Sequence, residues 1–444
     1  MKKLRILNVA LPYPSAALHH GNVAGTFLPA DVAKRYLRSR KIPSKLFSGL
    51  DSHGTGVWID ARANSSTMRD HLSSKRAEYL RTLRGYQIFP DKFDSTNRKD
   101  HREHVRKYFE KLKGRLVTKS VSALFCERCN HECSDRLLWD QKNNECIEKL
   151  NELGKAPSPV VTCRLCRGTP TSKIKEFVCL KFDESITQLA VKSWPAISSK
   201  ETQKIITRYL PWGVSTGRVR GEVYYVWVEA LLAYSRMAKS RDCYFFFGKD
   251  NLYHHALLLR QMSRGAIPFA QRRNTFLRQH LLSRKGEKIS SSKTSATPCP
   301  LVRASRLSLI LADPLTQDTV YDQKTIQDAH KILQNQLRNT FKRIAGIWKK
   351  RNLISEVRLP VEECRFLGQV LGRYHEAMAT NQLKKALDEV LRYRAYIIKI
   401  LQGHLKFETR RSSLKYHQKV LLSMIDPLDP SMRTELKAKR WTSR

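Results

Sequence analysis

Residues 5–22 read Arg5-Ile6-Leu7-Asn8-Val9-Ala10-Leu11-Pro12-Tyr13-Pro14-Ser15-Ala16-Ala17-Leu18-His19-His20-Gly21-Asn22, and this stretch decides the fold. The apolar run 5–11 ends in Pro12-Tyr13-Pro14, which punctuates a strand. From Gly21 onward Val23, Phe27, Val32, Tyr36 and Leu37 fall at helical spacing. Strand, loop and helix thus follow one another. A second strand is predicted over Ser44-Lys45-Leu46-Phe47-Ser48-Gly49-Leu50 and stops at Asp51-Ser52-His53-Gly54-Thr55. Polar groups therefore collect at the carboxyl ends of parallel strands, where open α/β sheets bind ligands.

Further along, between about residues 118 and 180, the pattern breaks into a cysteine-bearing, turn-rich segment. The α/β rhythm resumes with Val223-Tyr224-Tyr225-Val226-Trp227 and Tyr244-Phe245-Phe246-Phe247, both read as strands. An insertion that splits a nucleotide-binding domain accounts for this order. Thr325 is predicted to cap an amphipathic helix in which Ile326, Ala329, Leu333, Leu337, Phe341, Ile344 and Trp348 recur every three or four residues. Helical stretches follow at about 362–378, 383–402 and 412–424, so the last quarter reads as a basic helix bundle.

The 444 residues suffice for two or three domains. With 82 Lys plus Arg against 40 Asp plus Glu, the formal charge is +42, which favours a polyanionic partner such as nucleic acid. No run of 18 apolar residues is present, and the amino-terminal residues enter a strand pattern without an apolar leader. A soluble, cytoplasmic protein with no membrane partner is expected. The 10 cysteines do not suit a disulfide framework in a chain of this length. Four of them form Cys126-x-x-Cys129 and Cys163-x-x-Cys166, with 33 residues between the pairs, a spacing that holds a tetrahedral metal through four thiolates. Cys133 and Cys146 are spare thiols that could substitute as ligands.

Two loops carry the chemistry. His19-His20-Gly21-Asn22 lies at the start of a helix, where free backbone N–H groups and the helix dipole favour phosphate. About 265 residues downstream comes Lys285-Gly286-Glu287-Lys288-Ile289-Ser290-Ser291-Ser292-Lys293, a basic, hydroxyl-rich loop suited to closing over phosphates. Each is weak alone. Together, flanking a split α/β domain, they resemble the H-x-G-H/N and K-M-S-K-S signatures of class I aminoacyl-tRNA synthetases.

The resemblance narrows to the methionyl-tRNA synthetase family and runs through most of the chain. Ala10-Leu11-Pro12-Tyr13, Leu28-Pro29-Ala30-Asp31-Val32, Asp51-Ser52-His53-Gly54-Thr55, Ile206-Thr207-Arg208, Trp212-Gly213, Tyr225-Val226-Trp227 and Phe247-Gly248-Lys249-Asp250-Asn251 occur in that family's order. The resemblance implies a Rossmann-type α/β catalytic domain in two halves, 1–117 and 181–280. A zinc-knuckle insertion at 118–180 would separate them, a linking segment at 281–324 would carry the signature loop, and a helical anticodon-binding bundle would occupy 325–444. It implies activation of L-methionine by ATP with Mg2+ and transfer to initiator and elongator tRNA(Met).

By the same resemblance, His19, Gly21, Asn22, Lys288, Ser290 and Lys293 would surround ATP, with His19, Asn22, Lys288 and Lys293 acting in the reaction. Asp51 would hold the methionine ammonium. Leu11, Tyr13, Trp227, Ala230, Tyr234 and His255 would enclose the thioether. Arg208 would lie near the methionine carboxylate or the ATP phosphates. Cys126, Cys129, Cys163 and Cys166 would hold structural Zn2+, far from the reaction.

The chain also departs from the family pattern. Ser291 stands where a second signature lysine is expected, so Lys293 or Lys285 would have to supply that charge. Leu231 replaces a pocket proline, Leu259 replaces a larger pocket side chain, and Gln279 occupies a position often held by histidine. These changes leave a second expectation, a catalytically decayed paralogue that binds RNA. Trp441 is a candidate to stack on a nucleobase.

Overall fold

The computed structural model describes residues 3–133, 138–140, 145–146, 161–198, 200–237, 242–263, 272–289, 305–349, 359–402 and 413–438. Ser290, Ser291, Lys293 and Trp441 lie outside these residues, as does the side chain of Cys146. Five strands form a wholly parallel sheet: β1 (Arg5–Val9), β2 (Ser44–Leu50), β3 (Lys92–Ser95), β4 (Asp242–Gly248) and β5 (Arg272–Arg278). Their order is β5-β4-β1-β2-β3, with Ile6 opposite both Lys45 and Cys243. The chain moves outward from β1 on one side and returns on the other, so loops at the carboxyl ends of β1 and β4 part around a crevice.

Alternation along each strand supplies two cores, as side chains of period two require. Leu7, Val9 and Phe246 face one core, and Ile6, Phe245 and Phe247 face the other. The first core continues without a break into the carboxyl-terminal helices through Leu333, Phe341, Val370, Val390 and Leu421. Those helices are Gln323–Lys331 with its continuation to Lys349, Val361–Ala379, Leu383–Leu401, Leu414–Leu428 and Ser431–Ala438.

Between β3 and β4 the strand Leu116–Cys126 pairs antiparallel with Thr171–Lys181, a long ribbon whose far end carries the cysteines. No helix among the described residues is long and apolar enough to cross a membrane.

Two sequence expectations are corrected. The cap of the amphipathic helix is Asp322, whose carboxylate accepts the Thr325 amide and hydroxyl, each at 2.9 Å, so Thr325 lies in the first turn. The predicted strand 223–227 ends at Tyr224, and Val226–Met237 is a helix. There the amides of Val228 and Glu229 turn back to the Tyr225 carbonyl. Glu229 is buried against His53 Nδ1 at 2.7 Å and His101 Nε2 at 2.8 Å, partners that lie behind the helix. Trp227 therefore belongs to a helical first turn.

One buried cation joins the sheet to the helices. Arg278, at the end of β5, forms a 2.9 Å ion pair with Asp313 and donates to the carbonyl and side-chain oxygens of Asn381 at 2.6 and 2.7 Å. Asn381 adopts a left-handed conformation, φ 57°, and its amide donates to Pro29 O at 3.1 Å. Asp313 also accepts the amide of Leu383 at 3.0 Å, at the start of the next helix. Arg278→Ala would strand the Asp313 carboxylate in the interior. We expect a loss of about 3–5 kcal/mol in stability, measured by urea denaturation, and a smaller loss for Arg278→Met.

Candidate active site

The loop leaving β1 is pinned to the loop leaving β2, since Asp51 N donates to Pro12 O at 3.0 Å. Tyr13 strengthens the junction: its hydroxyl accepts the amide of Gly56 at 2.9 Å, at the first turn of the helix Thr55–Ala63. The ring lies so close that a Cβ on Gly54, whose φ is +94°, would stand 2.6 Å from the Tyr13 hydroxyl. Only glycine meets both conditions at that position.

Two adjoining cavities share Ser15, Ala16, His19, Asn22 and Gly56. The larger, about 530 Å³, is further lined by Gly21, Asp60, Arg164, Asp250, Gln279, His280, Lys288 and Ile289. The smaller, about 430 Å³, is lined by Tyr13, Asp51, Tyr79, Arg208, Tyr225 and Trp227 among others.

In the larger cavity the helix starts at His20, and Asn22 Oδ1 accepts the His19 amide at 3.1 Å, which leaves its NH2 as the group able to donate. Burial, then Lys288 and His20, push His19 down to about 4, and burial does the same to His20, so both are neutral near pH 7. His19 Nδ1 is buried without a hydrogen-bond partner. A Cβ on Gly21 would stand 2.9 Å from the His19 ring and 3.1 Å from Ile289 O, so this glycine admits the loop that carries Lys288.

Lys288 is ion-paired with Asp250, which also meets His280 Nε2 at 2.9 Å. Burial would raise the Asp250 carboxyl, but Lys288 and His280 prevail and hold it below the ordinary range. Asp250 and His280 were not among the predicted site residues. Asp250 lies in the family-like segment Phe247–Asn251, and both residues stand just beyond β4 and β5, but neither signal assigned them a role.

In the smaller cavity Asp51 is 1 % exposed, and its Oδ1 has no hydrogen-bond partner. Burial, and secondarily Glu229, push its carboxyl well above the ordinary carboxylate range. Arg208 stands 4.7 Å over the Tyr225 ring and 3.9 Å from Glu132.

The remaining predicted pocket residues divide. Tyr13 and Trp227 line the cavity, whereas Leu11, Ala230, Tyr234 and His255 do not. Ala230, Tyr234 and His255 are buried, with the Tyr234 hydroxyl 3.0 Å from His255 Nε2 and His255 Nδ1 3.0 Å from Asn251 O. Leu11 is half-buried and packs on the same core as Tyr234. The Trp227 indole stacks on His254 at 4.0 Å. His254 was not singled out in the sequence; burial pushes it down to about 3 and its Nδ1 is buried without a partner.

The four knuckle cysteines converge. Each offers a sulfur within 4.8 Å of the others, with Cys126–Cys166 at 3.4 Å and Cys129–Cys163 at 4.0 Å. Thiolates around tetrahedral zinc, at about 2.3 Å from the ion, lie roughly 3.8 Å apart, so the donor set fits such an ion. Cys133, a spare thiol in the sequence reading, hydrogen-bonds to Cys163 and stands outside this set. The knuckle was expected far from the reaction; in the structure its second half borders the larger cavity. Leu165, within the second knuckle, packs against Leu210 and Val223, as do Trp58 and Ile59 of the helix Thr55–Ala63, and Arg164 lines the larger cavity. Trp58 of that helix also meets the His131 ring of the ribbon edge-on, with centroids 5.6 Å apart.

With this geometry in place, the family profile described as tRNA synthetases class I (M) matches residues 5–345. The chain belongs to the class I tRNA synthetases. It is 26% identical over 332 residues to the methionine--tRNA ligase of Methanobrevibacter smithii, covering 65% of this chain and 49% of that one. It is 23% identical over 463 residues to that of Methanopyrus kandleri, covering 90% and 68%.

The chain thus spans about half the length of several curated relatives. The class I synthetase fold is matched by Mycobacterium tuberculosis methionyl-tRNA synthetase in complex with methionyl-adenylate, with a TM-score of 0.72 and 18% identity, covering 97% of this chain and 92% of that one.

Asp51 generates a prediction specific to this class I synthetase. A carboxyl group that holds its proton more tightly folded than unfolded removes stability as pH rises above its unfolded value, about 4. Asp51→Asn should therefore melt at a higher temperature than the parent protein at pH 7, with the gap closing toward pH 4. Scanning calorimetry of the ligand-free proteins across that range checks it.

Proposed function

We propose that the chain is a methionine--tRNA ligase that activates L-methionine with ATP and loads it onto initiator and elongator tRNA(Met) in the cytoplasm. The observation that carries this reading is the buried, unpartnered oxygen of Asp51 in a cavity that adjoins a larger one, about 530 Å³, across His19 and Asn22. A cationic amino group entering there gains a charge-assisted hydrogen bond and restores the carboxylate. Arg208, in the same cavity, takes the substrate carboxylate. Trp227 and Tyr13 border the thioether, with Leu11, Ala230, Tyr234 and His255 forming the wall behind, an aromatic surrounding that suits a polarizable sulfur.

In the reaction an oxygen of the methionine carboxylate attacks the α-phosphorus of ATP, the α–β phosphoanhydride bond breaks, and pyrophosphate leaves with its charge. A hydroxyl of the tRNA's terminal ribose then attacks the acyl carbon and releases AMP. Neutral His19 donates a hydrogen bond to phosphate oxygen through its one ring N–H. Asn22 donates through its NH2, Lys288 exchanges its Asp250 partner for phosphate, and Gly21, Ser290 and Lys293 complete the nucleotide site. Catalysis is then chiefly positioning and electrostatic stabilisation. Mg2+ accompanies ATP and screens its phosphates.

Cys126, Cys129, Cys163 and Cys166 hold structural Zn2+ within a connective insertion at 118–180. That insertion divides catalytic halves 1–117 and 181–280; a linking segment at 281–324 and an anticodon-binding bundle at 325–444 follow.

Exchange of labelled pyrophosphate into ATP tests the reading. It should require methionine among the twenty amino acids, and Asp51→Ala should abolish it through loss of a charge-assisted hydrogen bond worth about 1.5–3 kcal/mol together with substrate registration. No exchange with any amino acid, alongside tight tRNA binding, would favour an RNA-binding paralogue whose signature loop has decayed at Ser291. Elemental analysis should find about one zinc per chain. Cys163→Ser should lose the metal and unfold the insertion, visible as new protease cleavage between residues 118 and 180.

A further inference from the structure

The larger cavity has an unusual charge balance for a site that receives a triphosphate. Asp60 and Asp250 both line it. Lys288 and His280 lie on the side beyond β4 and β5, and both are engaged with the same carboxylate, Asp250. His19 and His20 are held neutral by burial. Ser291 stands where the family resemblance implies a second signature lysine. Among the described residues, the cation that lines this cavity from the insertion is Arg164.

Arg164 reaches the cavity because the knuckle puts it there. It lies between two convergent cysteines, Cys163 and Cys166, in a tight turn closed by Arg167 N to Cys163 O at 2.8 Å and Cys163 N to Gly168 O at 2.8 Å. Gly168 N donates to the Cys166 sulfur at 3.4 Å. The next residue, Leu165, packs at once on the cysteine cluster and on Leu210 and Val223, the same pair that Trp58 and Ile59 pack against. Ile59 and Asp60 in turn line the cavity. The cysteine cluster, the Arg164 backbone and the cavity wall therefore form one packed unit.

We propose that Arg164 binds the phosphates of ATP, and that the knuckle, by fixing its backbone, makes nucleotide affinity depend on the bound metal. The proposal rests on the nucleotide reading of the larger cavity given above. A guanidinium suits the task, since its planar fork can take two phosphate oxygens at once and keeps its charge at any physiological pH. It would supply, from the insertion, charge that the signature loop has lost at Ser291.

The test is binding of an ATP analogue with a methylene bridge between the α- and β-phosphorus, measured by titration calorimetry on the full chain, beside methionine affinity and metal content. Arg164→Ala should weaken the analogue on the order of tenfold, with methionine affinity and metal content unchanged, and Arg164→Lys should recover part of the loss. Removing the metal with a chelator should weaken the analogue for the parent protein by a similar factor and add little for Arg164→Ala. Equal analogue affinity in the parent protein and both variants overturns the proposal. A parent protein that binds no analogue at all overturns the nucleotide reading beneath it.

Discussion

The site depends on one backbone constraint: β1 is hydrogen-bonded in parallel along both edges, to β2 and to β4, with Ile6, Leu7 and Asn8 paired on each side. A strand held in this way cannot shift by a residue without turning Leu7 and Val9 out of one core and Ile6 out of the other. Its carboxyl end is therefore fixed, and the polar loops that leave β1, β2, β4 and β5 meet over the same edge. His19, Asp51, Asp250 and His280 come from segments up to 261 residues apart in the chain. The sheet brings them to two adjoining cavities.

Above that edge the protein keeps several groups in costly states. Asp51 is buried with an unpartnered oxygen, and His19 and His254 are half-buried, each with a buried ring nitrogen that lacks a partner. A ligand group that hydrogen-bonded to these atoms would lower each cost. Below, each oxygen of Glu229 has its own partner, one His53 and the other His101. A firm lower layer lets the upper one remain unsatisfied without collapse.

Much of the frame was legible in the sequence. Residues 44–50 are a strand with those limits, β1 and β4 match short apolar runs, and the two Cys-x-x-Cys pairs meet as their spacing requires. Asp51 and His19 could be singled out because they follow strands directly. Other residues carried no such signal. Trp227 read as part of a strand because Tyr225-Val226-Trp227 is β-branched and aromatic; only the tertiary partners of Glu229 make it helical. Leu11, Tyr234 and His255 read as pocket lining, but mutual hydrogen bonding and burial place them one layer behind. Arg164 was invisible because its importance lies in where a ribbon of more than fifty residues returns, and Asp322 was passed over for a threonine with a better-looking downstream partner.

The junction at Asn381 bears on how such a chain can change over time. Because Arg278, Asp313, Asn381 and Pro29 come from four separate segments and close around one buried charge, the helical region is not a detachable cassette. Recombination that replaced it would have to deliver an asparagine in a left-handed turn at the same point, or leave an arginine buried with an incomplete set of acceptors. Loops on the exposed face of the helices can drift freely by comparison. Inheritance of the two regions is thus coupled through a contact that touches neither cavity directly, although Arg278 immediately precedes Gln279, which lines one of them.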